Sequence, residues 1–359
     1  MPKDVIVVVD LQEKPKPAEA LDILILSTHG GNKDIKTYRS LDEIAVDYPS
    51  TTIVYKKAAA LFNQGKTTLA GSLISKVKIA SVEITGAADA EMAADLVTQI
   101  EALRDKNDDW YILLTDRDGD AYAKALCAWA ESTEPTEAEL EAGEEDYRKF
   151  YFGQVNSLDL GITNRRAALI YSADFAEQAD AAYVGNVGPF YPRKTSWKFK
   201  RPAGISLPSL TFAEREQLEE NNINFLTDEY KRVYVKNGVC TDGEYIASQL
   251  GADYIAINMR EQLYDTFLVN ADIDYSDTGF AIVVSAVFAA LSDATALGII
   301  AKDPESSAGL YNVKIPRRID ATPEQAAAGQ MPDIVWEAEI GKSVHRVRVT
   351  GRLSVTLGA

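Results

Sequence analysis

Trp110-Tyr111-Ile112-Leu113-Leu114-Thr115, followed by Asp116-Arg117-Asp118-Gly119-Asp120, is an apolar run that stops in a polar, glycine-bearing turn. A run of this length, bounded by turn residues, reads as a buried strand. Asp120 then stands where a helix N-cap belongs, and 120–131 continues with helical spacing. The same strand-to-helix grammar recurs on both sides. Ile23 to Leu26 is an apolar strand ending in Ser27-Thr28-His29-Gly30-Gly31. Ser40 and Glu43 form a capping-box pair, and a second helix from about Thr52 places Val54, Ala58, Leu61 and Phe62 on one face before Gly65. Val77 and Ile79 alternate as a strand, and 88–104 is amphipathic through Met92, Leu96, Ile100 and Leu103. Further strands are expected over 149–154 and 167–171. Strands alternating with helices at this spacing predict a mainly parallel α/β layer.

The texture changes near residue 195, after the breaks at Gly188-Pro189 and Tyr191-Pro192. Two long helices are expected, 242–269 and 277–296. The first carries Ile246, Leu250, Tyr254, Ile257, Tyr264 and Leu268 on one face. The second carries Phe280, Val284, Val287, Phe288 and Leu291, is capped by Ser276 or Asp277, and ends at Gly298. Val313 and Ile315 follow, then a Pro/Gly/Ala-rich loop over 321–332. Both ends of the chain are strand-like. Val5, Val7 and Val9 lie in one apolar run near the start. Over 346–357, Val347, Val349, Leu353 and Val355 fall on one face, and Arg346, Arg348, Arg352 and Thr356 on the other. A lone strand must add to a sheet, in its own chain or a neighbour's. The overall expectation is an α/β (α+β) chain of two domains. Residues 21–195 form an outer α/β domain, residues 196–359 an inner domain, and residues 1–20 a strand that joins the inner one.

Composition narrows the function. The chain has 359 residues, is 46% hydrophobic and carries a net charge of −17. Such acidity favours solubility and argues against nucleic-acid binding, which needs cationic surface. The acid is uneven: 131–146 holds no Lys or Arg, whereas 191–201 and 345–352 are basic. Cys127 and Cys240 are the only cysteines and His29 and His345 the only histidines, so neither a metal cluster nor a disulfide framework is expected. The start is too short in apolar residues for a signal peptide, and 280–291 is short of the roughly 20 residues of a membrane span. No cofactor and no membrane insertion are expected.

Three motifs invite a chemical reading. Ala60 to Thr67 matches a relaxed phosphate loop, but helix rather than strand precedes it, and Gly65 reads as a helix cap. Asp116 and Asp118 resemble the nucleophile and general acid of haloacid-dehalogenase-like phosphatases, where Thr or Ser follows the glycine; here that residue is Asp120. The same stretch fails as a calcium loop, because its twelfth position is Cys127. Tyr191, Trp197 and Phe199 interleave with Arg193, Lys194, Lys198 and Lys200, which fits a domain junction or subunit contact in a chain this acidic.

Taken in order, a series of loose motifs resembles the contractile-tail sheath proteins of phages and R-type bacteriocins. They are Tyr38-Arg39-Ser40-Leu41-Asp42-Glu43-Ile44-Ala45, Tyr55-Lys56-Lys57-Ala58-Ala59, Trp197-Lys198-Phe199-Lys200 with Gly204-Ile205 and Leu210-Thr211, Asn237-Gly238-Val239, Asp242-Gly243-Glu244-Tyr245-Ile246, and Tyr275-Ser276-Asp277-Thr278-Gly279. The resemblance implies a non-enzymatic subunit that polymerises helically around an inner tail tube and contracts to drive it through a cell envelope. It implies strand exchange with neighbouring copies through Val5, Val7, Val9, Val347, Val349, Leu353 and Val355. Its partners would be further copies, the tail tube protein, and the baseplate and tail terminator proteins. The particle would be a virion tail or a released tail-like particle, assembled in a bacterial cytoplasm. The second long helix and the Lys302-Asp303 turn are the expected tube-facing surface. The alternatives are a phosphatase using Asp116 and Asp118, or a strand-exchanging subunit of another filament or capsid.

Overall fold

A computed structural model describes residues 21–65, 73–136 and 148–345. Six strands form one sheet: β1 (Ile23–Ser27), β2 (Lys33–Tyr38), β3 (Val77–Ser81), β4 (Ile112–Thr115), β5 (Phe150–Val155) and β6 (Ala167–Tyr171). Their spatial order is β2-β3-β1-β4-β5-β6. All neighbours run parallel except β2, which pairs antiparallel with β3 at the edge. The central strands are buried on both faces, which is why they read as continuous apolar runs rather than alternating ones. Ile23 and Ile25 meet α2 (Ile53–Phe62) and α5 (Ala179–Val187) in one core. Leu24 and Leu26 meet α3 (Asp89–Arg104) and α4 (Asp120–Ser132) in the other. The expected α/β layer is thus a doubly wound sheet.

Two local differences have clear causes. Gly119, at φ +105°, takes the N-cap of α4, so Asp120 enters the first turn and accepts a hydrogen bond from Ser157 Oγ. At α1 (Leu41–Asp47), Ser40 Oγ accepts from the Glu43 N–H as expected, but the Glu43 carboxylate accepts from Arg39 N–H rather than from Ser40.

Residues 197–250 extend both cores, with Leu218, Ile223 and Phe225 in the second. Trp197 stacks on Phe152 at 4.9 Å, and Leu226, Val235, Cys240, Ile246 and Leu250 join them in the first. This stretch includes α6 (Phe212–Glu220) and a hairpin, β7 (Leu226–Glu229) with β8 (Arg232–Val235). Next comes a hairpin of two long helices, α7 (Ile246–Val269) and α8 (Asp277–Ala296). α7 starts later than expected because Gly243 turns the chain at φ +93° and the Asp242 carboxylate accepts from the Glu244 N–H. A third core joins α7 and α8 to a two-stranded ribbon, β9 (Tyr311–Lys314) and β10 (Val335–Ala338). The segment expected as a loop over 321–332 contains a short helix, α9 (Pro323–Ala328), closed by a Thr322/Gln325 capping box.

Candidate assembly interface

Val5, Val7, Val9, Val347, Val349, Leu353 and Val355 all lie outside the described residues. The last strands of the described chain form the β9–β10 ribbon, which ends at Ala338. Its strands pair antiparallel, Val335 against Lys314 and Ala338 against Tyr311. Ile300 bridges to Ile340 and Lys302 to Gly309, which anchors one end of the ribbon to the end of α8. Among the described residues, neither strand has a partner on its outer edge. A two-stranded ribbon is marginal alone and presents unpaired N–H and C=O groups that template a further strand.

Apolar side chains lie bare around this ribbon and at the free end of the helical hairpin. Ile319 and Leu268 are each 81% exposed, and Val269 is 83% exposed. Tyr264 and Phe267 are also open, although Tyr264 and Leu268 were expected on the buried face of α7. The reason is geometric: α7 outruns the third core, whose last contact on this helix is Leu263. Phe288 on α8 is partly exposed beside Tyr311.

Two buried polar clusters hold the body that carries this surface. The first lies at the carboxyl ends of β1 and β4. Asp116 is buried, and its Oδ1 and Oδ2 both accept from Thr28 N–H at 2.9 Å. Thr28 Oγ1, Ser27 Oγ and His29 Nδ1 also bond to it. Arg117 Nε donates to Thr28 Oγ1. Asp118 accepts from Lys57 Nζ at 3.2 Å and from Gln154 Nε2 at 2.9 Å. Lys57 Nζ also bonds to Asp180 at 2.5 Å, and both of these side chains are fully buried. Burial acts to lower the Lys57 ammonium pKa, but Asp118 and Asp180 together hold it above its ordinary value. Burial pushes the Asp180 carboxyl up, with Lys57 opposing. Both aspartates of the phosphatase-like motif are therefore consumed in internal ties. Both Asp116 oxygens already accept bonds from Ser27, Thr28 and His29, which competes with the free lone pair a nucleophile needs.

The second cluster fixes α7 to the sheet. The Arg166 guanidinium, at the start of β6, meets the Asp253 carboxylate in two bonds, 2.6 Å from NH2 and 3.2 Å from NH1. Both side chains are fully buried. Arg166 Nε donates to the Lys149 carbonyl, the Tyr111 hydroxyl donates to Asp253, and Gln249 Nε2 adds a bond at 3.3 Å. A paired, hydrogen-bonded charge can survive such burial where a lone one cannot. Neither Arg166 nor Asp253 was singled out from sequence, since an isolated Arg and Asp far apart in the chain carry no local signal.

The motifs that carry the sheath resemblance have structural reasons here. Gly238 adopts φ +79°, and a Cβ there would meet Lys198 N at 2.4 Å. Gly238 and Val239 N–H groups donate to Asn224 Oδ1. Ser276 caps α8 through the Gly279 N–H. Both cysteines are buried, and burial pushes their thiols up. Among the described residues no three His, Cys, Asp or Glu side chains form a metal-sized group.

No protein-family model and no curated protein matches the sequence. Solved structures do match. A chain in the baseplate of the anti-feeding prophage, symmetrised six-fold, aligns with a TM-score of 0.66 at 13% identity, covering 98% of this chain and 99% of that one. A chain of the anti-feeding prophage helical sheath in the contracted state aligns with a TM-score of 0.63 at 14% identity, covering 97% and 99%. A chain in the contracted baseplate gives 0.65 at 11% identity, covering 99% of each. These structures are of sheath and baseplate, not of enzymes. Over nearly its whole length, the chain has the mixed α/β fold of these sheath and baseplate chains, as the sheath-like motifs implied.

Proposed function

We propose that this chain is a structural subunit of a contractile injection system and, within it, a tail sheath subunit. The observation that carries this is the near full-length likeness to a helical sheath chain, 97% of this chain against 99% of that one. The subunit polymerises into a cylinder around a tail tube and contracts on triggering, as part of a phage tail or a released tail-like particle. Baseplate and tail terminator proteins close its ends. Terminal strands bearing Val5, Val7, Val9, Val347, Val349, Leu353 and Val355 add to open ribbon edges of neighbouring copies. The β9–β10 ribbon is the receptor that supports this. A head-to-tail interface of this kind does not close and so builds an open helix. The division into an outer body of 21–195 and an inner one of 196–359, with residues 1–20 joining the latter, is a division of assembly role, because residues 197–250 share a core with the sheet. The face of α8 with the Lys302-Asp303 turn is the proposed tube contact.

Electron microscopy of the purified chain, alone and with its tube protein, tests the proposal. Regular striated cylinders are the expected result. Two of the three solved structures are baseplates, which favours a second reading as a baseplate subunit. That reading gives rings or short stacks in place of long cylinders. Particles that never exceed a monomer under any of these conditions overturn both.

A further inference from the structure

In a chain with a net charge of −17, one pocket is cationic and lined by no carboxylate among the described residues. It has a volume of about 230 Å³ and lies where the backbone of residues 341–345 crosses the sheet body, immediately before the C-terminal segment. Lys194, Lys342 and His345 line it, with the hydroxyls of Ser196, Ser248 and Ser343. The wall is rigid. Trp197 is buried against Phe152 and Tyr183, Gly238 is locked by Asn224, and the Gly341 N–H bonds to the Ile299 carbonyl.

The His345 ring stacks on Tyr245 with centroids 4.1 Å apart and planes within 7°. Its Nδ1 is buried and finds no hydrogen-bond partner among the described residues. Buried ring nitrogens are normally paired, so this one is available to a hydrogen-bonding ligand. The Glu244 carboxylate, one residue before Tyr245, accepts from the Tyr245 backbone N–H. Lys194 is partly buried with no ion pair among the described residues, and burial lowers its pKa. Burial also lowers the His345 pKa, followed by the charges of Lys198 and Lys194. Each of these deficits is relieved by an anion with two acceptor oxygens.

We propose that this pocket is a carboxylate-binding site, filled in the assembly by an acidic side chain of a second copy of this chain. The proposal rests on the sheath reading for its occupant, not for its chemistry. On the strand-exchange reading, the segment that follows the pocket in sequence enters a neighbouring copy and brings that copy's surface towards it. Each copy is rich in carboxylates, with 54 Asp and Glu against 37 Lys and Arg. Binding there fixes the direction in which the C-terminal strand leaves the body and couples that direction to occupancy.

Glutarate serves as the probe. The full-length protein is treated with diethylpyrocarbonate, and the modification rates of His345 and His29 are read by peptide mass mapping. Saturating glutarate is expected to slow His345 about ten-fold at roughly ten times its Kd, by mass action. His29, bonded to Asp116, is the internal control and keeps its rate. Lys194→Ala with Lys342→Ala is expected to abolish the protection. Unchanged His345 reactivity in glutarate, or equal protection by chloride at matched ionic strength, overturns the pocket. The occupant is tested by sedimentation. Glutarate and the double variant are each expected to reduce assembly, and undiminished assembly in both overturns the second copy as occupant. If wild-type protein never assembles, the sheath reading fails while the glutarate result still judges the pocket.

Discussion

Asp116 and Asp118 stand two residues apart at the end of β4, yet they answer to different partners. Asp116 binds the β1 loop to β4, while Asp118 reaches across the sheet end to Lys57 on α2. In Asp116→Asn one accepting oxygen becomes an NH2 group facing donors. The expected loss is about 1–3 kcal/mol of stability, the cost of leaving buried donors unmet, measured by urea unfolding. No phosphatase rate with Mg²⁺ is expected in wild type. A rate that vanishes in this variant contradicts the structural role. Arg166 poses a sharper case because, among the described residues, no other cation bonds Asp253 as closely: an Arg148 guanidinium nitrogen lies 3.5 Å away. Arg166→Met is expected to cost about 3–5 kcal/mol, since it strands a buried carboxylate. Replacing both, Arg166→Met with Asp253→Leu, should recover much of that loss. A double variant no better than the single one places the strain in packing rather than in charge.

Elements differ in how plainly they show in the chain. The central strands are legible because burial on both faces makes them short apolar runs, as at Ile23 to Leu26 and Ile112 to Leu114. β2 (KDIKTY) is not, because it is an edge strand whose outward side chains are polar and whose pairing comes entirely from β3. α5 is hidden for the opposite reason: it is buried all round, so it shows no amphipathic stripe. The two polar clusters were half visible. Asp116 and Asp118 stood out as a motif, but their ties to Ser27, Thr28, Lys57 and Asp180 come from distant turns that only the sheet order brings together. Lys149 shows the energetic side of an element end. Burial brings its pKa down from 10.5 to about 8, with Asp108 pulling it back up. Between those values the unfolded chain holds more protons than the folded one, so stability from this group rises with pH. Below the folded value the penalty is full, about 3 kcal/mol for a shift of this size. Above about pH 10 the sign reverses, because Tyr111, Tyr151 and Tyr183 have burial-raised pKa values and ionise first when unfolded. Lys149→Met is therefore expected to flatten the rise in urea midpoint between about pH 8 and 10, with the general charge effect common to both proteins. An unchanged slope removes Lys149 as its source.

At the scale of the whole molecule, the proposed strand exchange works against charge. Stacking copies that each carry −17 creates repulsion that salt screens over about 10 Å at 0.1 M. Cylinder formation, followed by light scattering and microscopy, is expected to improve with moderate salt. Equal assembly at very low ionic strength would mean that the acidic surface stands clear of the contacts. In the proposed sheath, the terminal strand supplies the opposing attraction. Each of Val347, Val349, Leu353 and Val355 buried in a neighbour contributes on the order of 1.5–3 kcal/mol, repeated at every joint. A charge on that face, as in Val349→Asp, costs several kcal/mol per joint, a desolvation cost on the order of a buried unpaired group's. The described cores draw on residues between Leu21 and Trp336, so a subunit shortened by residues 346–359 is expected to keep its fold. Circular dichroism and the urea midpoint should match those of wild type, while sedimentation shows no cylinders. Regular cylinders from the shortened chain would dismiss 346–359 as the link between copies. Loss of the fold would assign that strand to its own chain's sheet, where the open edge of β10 is the place for it.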